Sequence, residues 1–365
     1  MKNKPFIPFA CCIPVSGYNR SIIYDLNRQS YSYIPNELAS ILKEQFGKNV
    51  LELVESYPRK DREILIEYFE FLEENEYIIY VDDDNKDLFP PLSTEWDYHG
   101  SISNAILDIE DENYDIRDIL KQLCELGCEY IQLRLKTEAF DYLARILDWI
   151  GNGTTIISIE LFIPYHQNIS STLNSITANH RVYNVYVYNA PEFQLSTIEN
   201  RAWGNVIMLN QNLQDKPVQE ISYFTVNVKL YTESLHYNNY LNRKLYIDCF
   251  GNMKNAPEQL CDFGNVMKDK LEDVVKSEQF QRLWHSKKDD IEICKDCEYR
   301  YMCVDSRIPR NLNDIWIHRE PCAYNPYIAK WNHKEGFVEA EQCGYFSSKG
   351  FIPDAGIIGK ILNQG

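Results

Sequence analysis

Four cysteines near the C-terminal end of this chain are spaced for metal chemistry: Cys294-x2-Cys297-x5-Cys303, closed by Cys322. Two thiolates separated by two residues can both point inward from one tight turn. Two such short segments can surround a single metal centre. Four cysteinates suit either a 4Fe-4S cluster or tetrahedral zinc. Either centre would tie two loops together, so its metal affinity would contribute directly to folding of the C-terminal region. Around it, Asp305 and Arg307 flank the third cysteine and are expected to pair and order the loop. His318, four residues before Cys322, is expected to be a surface histidine, with a partner of the ligands or an alternative ligand as the other readings. Cys249, Cys261 and Cys343, and the adjacent Cys11 and Cys12, are read as packing or incidental cysteines.

The segments that would position such a centre begin with a small N-terminal module. Ser21–Leu26 and Ser30–Ile34 are strand-like runs around the polar Asn27-Arg28-Gln29, the pattern of a hairpin. Asn36 can cap a helix carrying Leu38, Ile41, Leu42 and Phe46, which Gly47 ends. A short helix is predicted near Val50–Ser56. A third, beginning near Pro58, puts Ile64, Leu65, Tyr68, Phe69 and Leu72 on one stripe. Tyr77–Val81 reads as a closing strand. Hairpin, three helices and strand is a winged-helix order. The third helix does not suit DNA, because Pro58–Glu76 holds seven acidic residues against three basic ones. The acidic stretch Asp82–Asp87 followed by Phe89-Pro90-Pro91 reads as a linker.

Between about 95 and 245, strands alternate with helices. Strands are expected at Ile102–Ile109, Tyr130–Leu135, Thr155–Ile163, Val182–Tyr188, Val206–Leu209 and Phe224–Leu230. Helices are expected at Ile119–Leu126 and Thr137–Ile150. This alternation predicts a parallel sheet, in the form of a partial barrel. Neither a G-x-G-x-x-G nor a G-x-x-x-x-G-K phosphate loop occurs. From 246 the texture changes: a hairpin turning at Gly251-Asn252, a helix Lys270–Trp284, then the cysteine run.

Composition bounds the rest. The chain has 365 residues, 44% hydrophobic, with a formal net charge of −17. That charge argues against nucleic acid as a partner, since phosphate recognition needs a basic face. No apolar run reaches the roughly 18 residues of a membrane span, so no membrane partner is expected. Eleven cysteines without a secretory signal point to a reducing, cytoplasmic setting.

The phrase Cys294-Lys-Asp-Cys-Glu-Tyr-Arg-Tyr-Met-Cys303, preceded by Tyr246-Ile-Asp and Phe263-Gly-Asn-Val, resembles a SPASM domain, the auxiliary iron–sulfur module of radical S-adenosylmethionine (SAM) enzymes that modify ribosomal peptides. Arg300–Arg307, then Cys322-Ala-Tyr-Asn-Pro-Tyr-Ile-Ala-Lys-Trp331, with Phe9–Val15 near the start, resembles the SPASM-containing peptide maturase of grasp-with-spasm systems. The resemblance implies three parts: residues 1–88, a winged-helix module similar to the RiPP recognition element; 95–245, a degenerate radical-SAM-like partial (β/α) barrel; and 246–345, a SPASM-like metal-binding domain. The fold class is therefore α/β. The N-terminal module would take a precursor's leader as an added strand, with Tyr24, Tyr31, Tyr33, Glu67 and Tyr68 as its expected contacts.

This sequence departs from the family's pattern in three places. Radical SAM chemistry needs C-x3-C-x2-C, and Cys124-x3-Cys128 is followed by Ile131 where the third ligand belongs. The loop after the first barrel strand, Glu110–Asp115, has no cysteine, so SAM is not expected. A second auxiliary cluster would need cysteine at Ala256 and Arg307. The expected function is maturation of a ribosomally synthesised precursor peptide. The chain would bind the precursor and cooperate with an ATP-grasp ligase, carrying one auxiliary 4Fe-4S cluster on Cys294, Cys297, Cys303 and Cys322. Whether it is itself an enzyme stays open. The alternatives are a divergent radical SAM enzyme and a zinc-stabilised, non-catalytic peptide-binding or regulatory protein.

Overall fold

The computed structural model describes residues 3–110, 112–151, 153–199, 201–213 and 224–364. The architecture is mixed α/β, in two compact units. One comprises residues 1–96, 219–239 and 286–365; the other comprises 97–218 and 240–285.

The first unit opens with β1 (Phe6–Pro8), β2 (Cys12–Ser16), β3 (Ser21–Asp25) and β4 (Ser30–Ile34). Helices α1 (Asn36–Glu44), α2 (Val50–Ser56) and α3 (Arg62–Glu74) follow, then β5 (Ile78–Tyr80). β2, β3 and β4 form an antiparallel meander, with Tyr24 opposite Tyr31 and Ile22 opposite Tyr33. The closing strand β5 pairs antiparallel with β1, Ile7 opposite Ile79. α2 starts where Asn49 accepts from the amides of Leu51 and Glu52, satisfying two orphan donors of the first turn. α3 begins at Arg62 rather than Pro58, because a 3₁₀ turn at Arg59–Asp61 intervenes.

β3 is buried along its whole length. Ile23 joins the helical core with Leu38, Leu65, Phe69 and Leu72. Ile22 and Tyr24 point the other way, into a second core with Tyr299, Met302 and Tyr324. Side chains alternate across a strand, so one strand serves two cores, and the second of these is the wall of the cysteine loop. α7 (Val228–His236), in this unit, stands where a strand at Phe224–Leu230 is expected. Asn227 accepts from the Leu230 amide and starts a helix despite the β-branched run.

The second unit holds β6 (Asn104–Ile109), α4 (Ile116–Glu125), β7 (Tyr130–Leu135), α5 (Phe140–Gly151), β8 (Ser158–Pro164), α6 (Ile169–Thr177), β9 (Val182–Tyr188), β10 (Gln194–Thr197), β11 (Asn205–Met208), β12 (Lys244–Ile247) and β13 (Met253–Lys254). They make one eight-stranded sheet in the order β10-β11-β9-β8-β7-β6-β12-β13. The six inner strands are parallel, and β10 and β13 join antiparallel at the edges. One face is aliphatic and buried (Leu107, Leu133, Leu161, Val185, Leu245). The register places Asp108 beside Arg134, Gln132 beside Glu160 and Glu160 beside Asn184 on the opposite face. The expected single helix Lys270–Trp284 is broken: α8 (Leu271–Val275) ends where Ser277 caps α9 (Glu278–Gln281).

Candidate metal centre

Cys294 opens a 3₁₀ turn, entered through Ile293 in the left-handed region at φ +69°. The Cys297 amide donates to the Cys294 carbonyl at 3.0 Å, which folds both thiols of the C-x2-C pair toward one side. Cys303 ends the next turn, its amide donating to Tyr299 O at 3.0 Å. Cys322 lies after the hairpin made by Arg310–Leu312 and Ile315–Ile317, with the Tyr324 amide 3.5 Å from its sulfur. All four half-buried cysteines line one cavity, together with Lys288, Asp305, Arg307, His318 and Tyr324. Burial pushes the Cys294 thiol up to about 11, and those of Cys297 and Cys303 further in the same direction. A metal would have to displace these protons, so its binding would be pH-dependent.

With Zn–S near 2.3 Å, a tetrahedral site sets its sulfurs about 3.8 Å apart. Among the described residues, only Cys11–Cys12–Asp25 and Cys294–Asp305–His318 bring three or more ligand atoms within 4.8 Å of one another. No three of the four cysteines do so. Four cysteines lining one cavity are a donor set for an iron–sulfur cluster or for zinc. The residues present therefore fit an iron–sulfur group, which Cys294, Cys297, Cys303 and Cys322 would hold.

The surroundings are charged and enclosed. Asp305 accepts from Lys288 Nζ at 2.8 Å and from the Arg307 guanidinium at 2.7 Å. Despite burial, Lys288 and then Arg307 hold its carboxyl well below the ordinary range. Arg307, at a position where a second cluster would have its ligand, is spent on this pair and on Glu320 O at 2.8 Å. His318 is not at the surface: its side chain is 4% exposed, with Nε2 3.3 Å from Asp305. Exposed neighbours on a short hairpin suggest an outward side chain, but this one turns in toward the buried carboxylate. Neither ring nitrogen has a hydrogen-bond partner among the described residues.

On the other side of the loop stands a residue without a ligand's signature, Glu298. Its side chain is fully buried and accepts from Arg20 Nε at 2.8 Å and Tyr324 OH at 2.5 Å. Its backbone carbonyl accepts from Tyr24 OH at 2.7 Å. Arg300 donates to Ser16 O at 2.6 Å, and the Tyr18 amide to Asp296 O at 2.8 Å. β2 and β3 are thus stitched to the cysteine loop. Lys288, Glu298 and Arg20 are the residues that sequence reasoning missed; the position of Glu298 next to Cys297 was the one available hint.

The five expected peptide contacts are not gathered at one surface. Tyr24 is fully buried against Glu298 and offers nothing to a peptide. Tyr31 and Tyr33 pack on Tyr299, edge to face, and Tyr33 remains 44% exposed. Glu67 is exposed on α3, while Tyr68 packs against the helical core. The remaining cysteines are dispersed. Cys343 is buried with the Asn325 amide 3.2 Å from its sulfur, Cys261 is exposed, and Ala256 is fully buried. Cys128 is sealed in the core and donates to Tyr130 O at 3.3 Å. Asp108, near the end of β6, is buried and holds Lys136 Nζ at 2.9 Å and Tyr246 OH at 2.8 Å. Asp115 caps α4, Glu112 pairs with Arg145, and Asp111 lies outside the described residues.

Residues 240–298 match the SPASM family, an iron–sulfur cluster-binding domain. The match takes in Cys294 and Cys297 and ends before Cys303 and Cys322. Comparison with curated proteins finds no match. Among solved structures, Streptococcus suis SuiB bound to S-adenosylmethionine is similar at 9% identity and a TM-score of 0.33, over 82% of this chain and 94% of that one. Among the described residues no helix is long and apolar enough to cross a membrane.

Proposed function

We propose that this protein takes part in maturing a ribosomally synthesised peptide, with one 4Fe-4S cluster on Cys294, Cys297, Cys303 and Cys322. The observation that carries the reading is four cysteines around one cavity, two of them inside a stretch that matches an iron–sulfur cluster-binding family. The match of residues 240–298 to an iron–sulfur cluster-binding domain supports iron over zinc. We keep the three-part division as the functional one: residues 1–88 receive the precursor in the manner of a winged-helix recognition element, 95–245 form the partial barrel, and 246–345 hold the cluster. In this proposal a separate ATP-grasp ligase, in the same cytoplasm, performs the bond-forming step on the bound precursor. Because Ile131 stands where C-x3-C-x2-C needs its third cysteine, the proposal assigns no radical step to this chain.

Among the described residues β4 ends its sheet, and that edge is the element best suited to receive an extended leader, since an edge strand offers backbone donors and acceptors. With Tyr24 committed to Glu298, the contacts retained are the β4 backbone and the exposed Tyr33 and Glu67. Two measurements test the reading. Anaerobically purified protein should contain iron and sulfide in equal amounts with broad absorbance near 400 nm; zinc without sulfide would refute the cluster. Calorimetric titration with the leader of a precursor encoded beside this chain should show binding; none at tens of micromolar would refute the recognition role.

A further inference from the structure

A second set of soft ligand atoms comes together where the chain enters β2. Cys11, Cys12 and Asp25 each offer a sulfur or a carboxylate oxygen, and these atoms lie within 4.8 Å of one another. None of the three residues lines the cysteine cavity described above. In a regular strand adjacent side chains point to opposite faces, so neighbouring thiols stay apart. Here Cys12 opens β2, while Cys11 belongs to the preceding turn, closed by the Cys12 amide donating to Phe9 O at 2.8 Å. The two sulfurs stand 4.0 Å apart. Asp25 is directly opposite Cys12 in the β2–β3 register, which brings its carboxylate to the same side.

Cys12 and Asp25 are buried, and the half-buried Cys11 leaves an entry path. Asp25 is oriented by its own partners, as a ligating carboxylate must be. Its Oδ1 accepts from the amides of Asn27 at 3.1 Å and Arg28 at 2.8 Å, and its Oδ2 pairs with Arg28 Nε. Two thiolates and one carboxylate around a divalent cation leave one net negative charge, and the Arg28 guanidinium stands beside it. Glu76, 3.5 Å from Arg28, is 78% exposed and therefore screened by water. The sulfur separation is close to the roughly 3.8 Å of tetrahedral zinc, and thiolates select zinc over magnesium or calcium. A disulfide suits the pair less well, because adjacent Cα atoms lie about 3.8 Å apart and disulfides usually span about 4.4–6.8 Å.

We propose that Cys11, Cys12 and Asp25 form a second metal site, which takes one thiophilic divalent cation such as zinc and leaves its fourth position to solvent. Binding releases the two thiol protons to solvent and changes no oxidation state. The site goes beyond the peptide-maturation reading and is independent of which metal the four cysteines hold. It would fasten the turn before β2 to the end of β3.

The test is an anaerobic cobalt(II) titration of the full chain, followed by thiolate-to-cobalt absorbance and reversed with zinc, on wild type, C11S, C12S, D25N and C261S. Iron, sulfide and zinc are measured on each protein beforehand, which separates this site from the four-cysteine centre. Wild type and C261S should bind one cobalt beyond what that centre takes. C11S, C12S and D25N should bind it at least about tenfold more weakly. Should C12S or D25N fail to fold, C11S decides, since its side chain is only half-buried. Wild-type cobalt affinity in C11S, or no cobalt beyond the four-cysteine centre, overturns the site. Wild-type affinity in a folded D25N overturns the three-ligand set.

Discussion

Arg20→Met should loosen the cysteine loop although Arg20 is hundreds of residues away in sequence. Glu298, next to Cys297, is fully buried and its carboxylate is matched by Arg20 at 2.8 Å. Removing one partner of a buried pair leaves an uncompensated charge and costs about 3–5 kcal/mol. Arg20 is 28% exposed, so water already screens part of the pair and the lower end applies, about 3 kcal/mol. At about 1.4 kcal/mol per tenfold, that is roughly a hundredfold rise in local opening. Glu298→Met should cost less, because the partly exposed guanidinium can rehydrate. The double variant should be more stable than Arg20→Met alone, since the orphaned carboxylate is gone. Native-state hydrogen exchange of amides such as Cys297, Met302 and Cys303 reads the opening directly. A change under about threefold in Arg20→Met, or a double variant less stable than that single one, would refute the reasoning.

Gly17→Ala should also strain this junction. A β-carbon there would sit 2.7 Å from Arg20 O and 2.8 Å from Glu298 N, both backbone atoms that cannot swing aside. A lower melting temperature and faster metal loss are expected; wild-type values for both would contradict the close approach. Acid should weaken the same unit in two stages. Burial holds the His318 imidazole well below its ordinary 6.5. The folded state therefore binds fewer protons than the unfolded one, and stability present above about pH 6.5 declines as pH falls. Asp305, also depressed, adds a second loss below about pH 3.8. Melting temperatures should fall from pH 7 to 5 in wild type and fall less in His318→Gln; equal slopes would refute the assignment. Phe69→Ala, which empties a fully buried site against Phe6, should cost about 3–5 kcal/mol in the helical core.

The local signals in this chain were legible and the distant ones were not. α2 lies where it is expected, with Asn49 as its cap, whereas Asn36, expected to cap α1, lies inside that helix and accepts from Ser21 Oγ instead. β7 and β9 likewise announce themselves by β-branched and aromatic runs. Phe224–Leu230 misleads for the converse reason: alternating apolar residues suggest a strand, but one asparagine side chain starts a helix instead. The pairing of β5 with β1 spans about seventy residues and leaves no mark in either segment. At the site, cysteine spacing is readable because a metal restricts it. Lys288, Arg20 and the inward turn of His318 depend on where Asp305 and Glu298 come to rest. An isolated lysine or histidine in a sequence has no pattern that reveals a buried partner.

Metal removal should therefore be felt first at the N-terminal end of the chain. β3 is buried on both faces, and one of those faces is Tyr299, Met302 and Tyr324, which belong to the cysteine loop or follow Cys322 directly. A thiolate centre that orders this loop also forms the wall on which Ile22 and Tyr24 pack. Its binding energy is then part of the stability of β2, β3 and β4. Chelation under anaerobic conditions should raise exchange in β3 and β4 together with the Cys294–Cys303 segment, since losing the wall exposes the buried Ile22 and Tyr24. β6, β7 and β8 lie in the other compact unit, with an aliphatic face of their own, and should keep their protection. Unchanged protection in β3 after complete metal loss would show that the meander stands without the loop, and the N-terminal strands could then be studied free of the metal. Loss confined to the first unit would tie the proposed leader-binding edge of β4 to metal supply, because β4 pairs with β3 along its length.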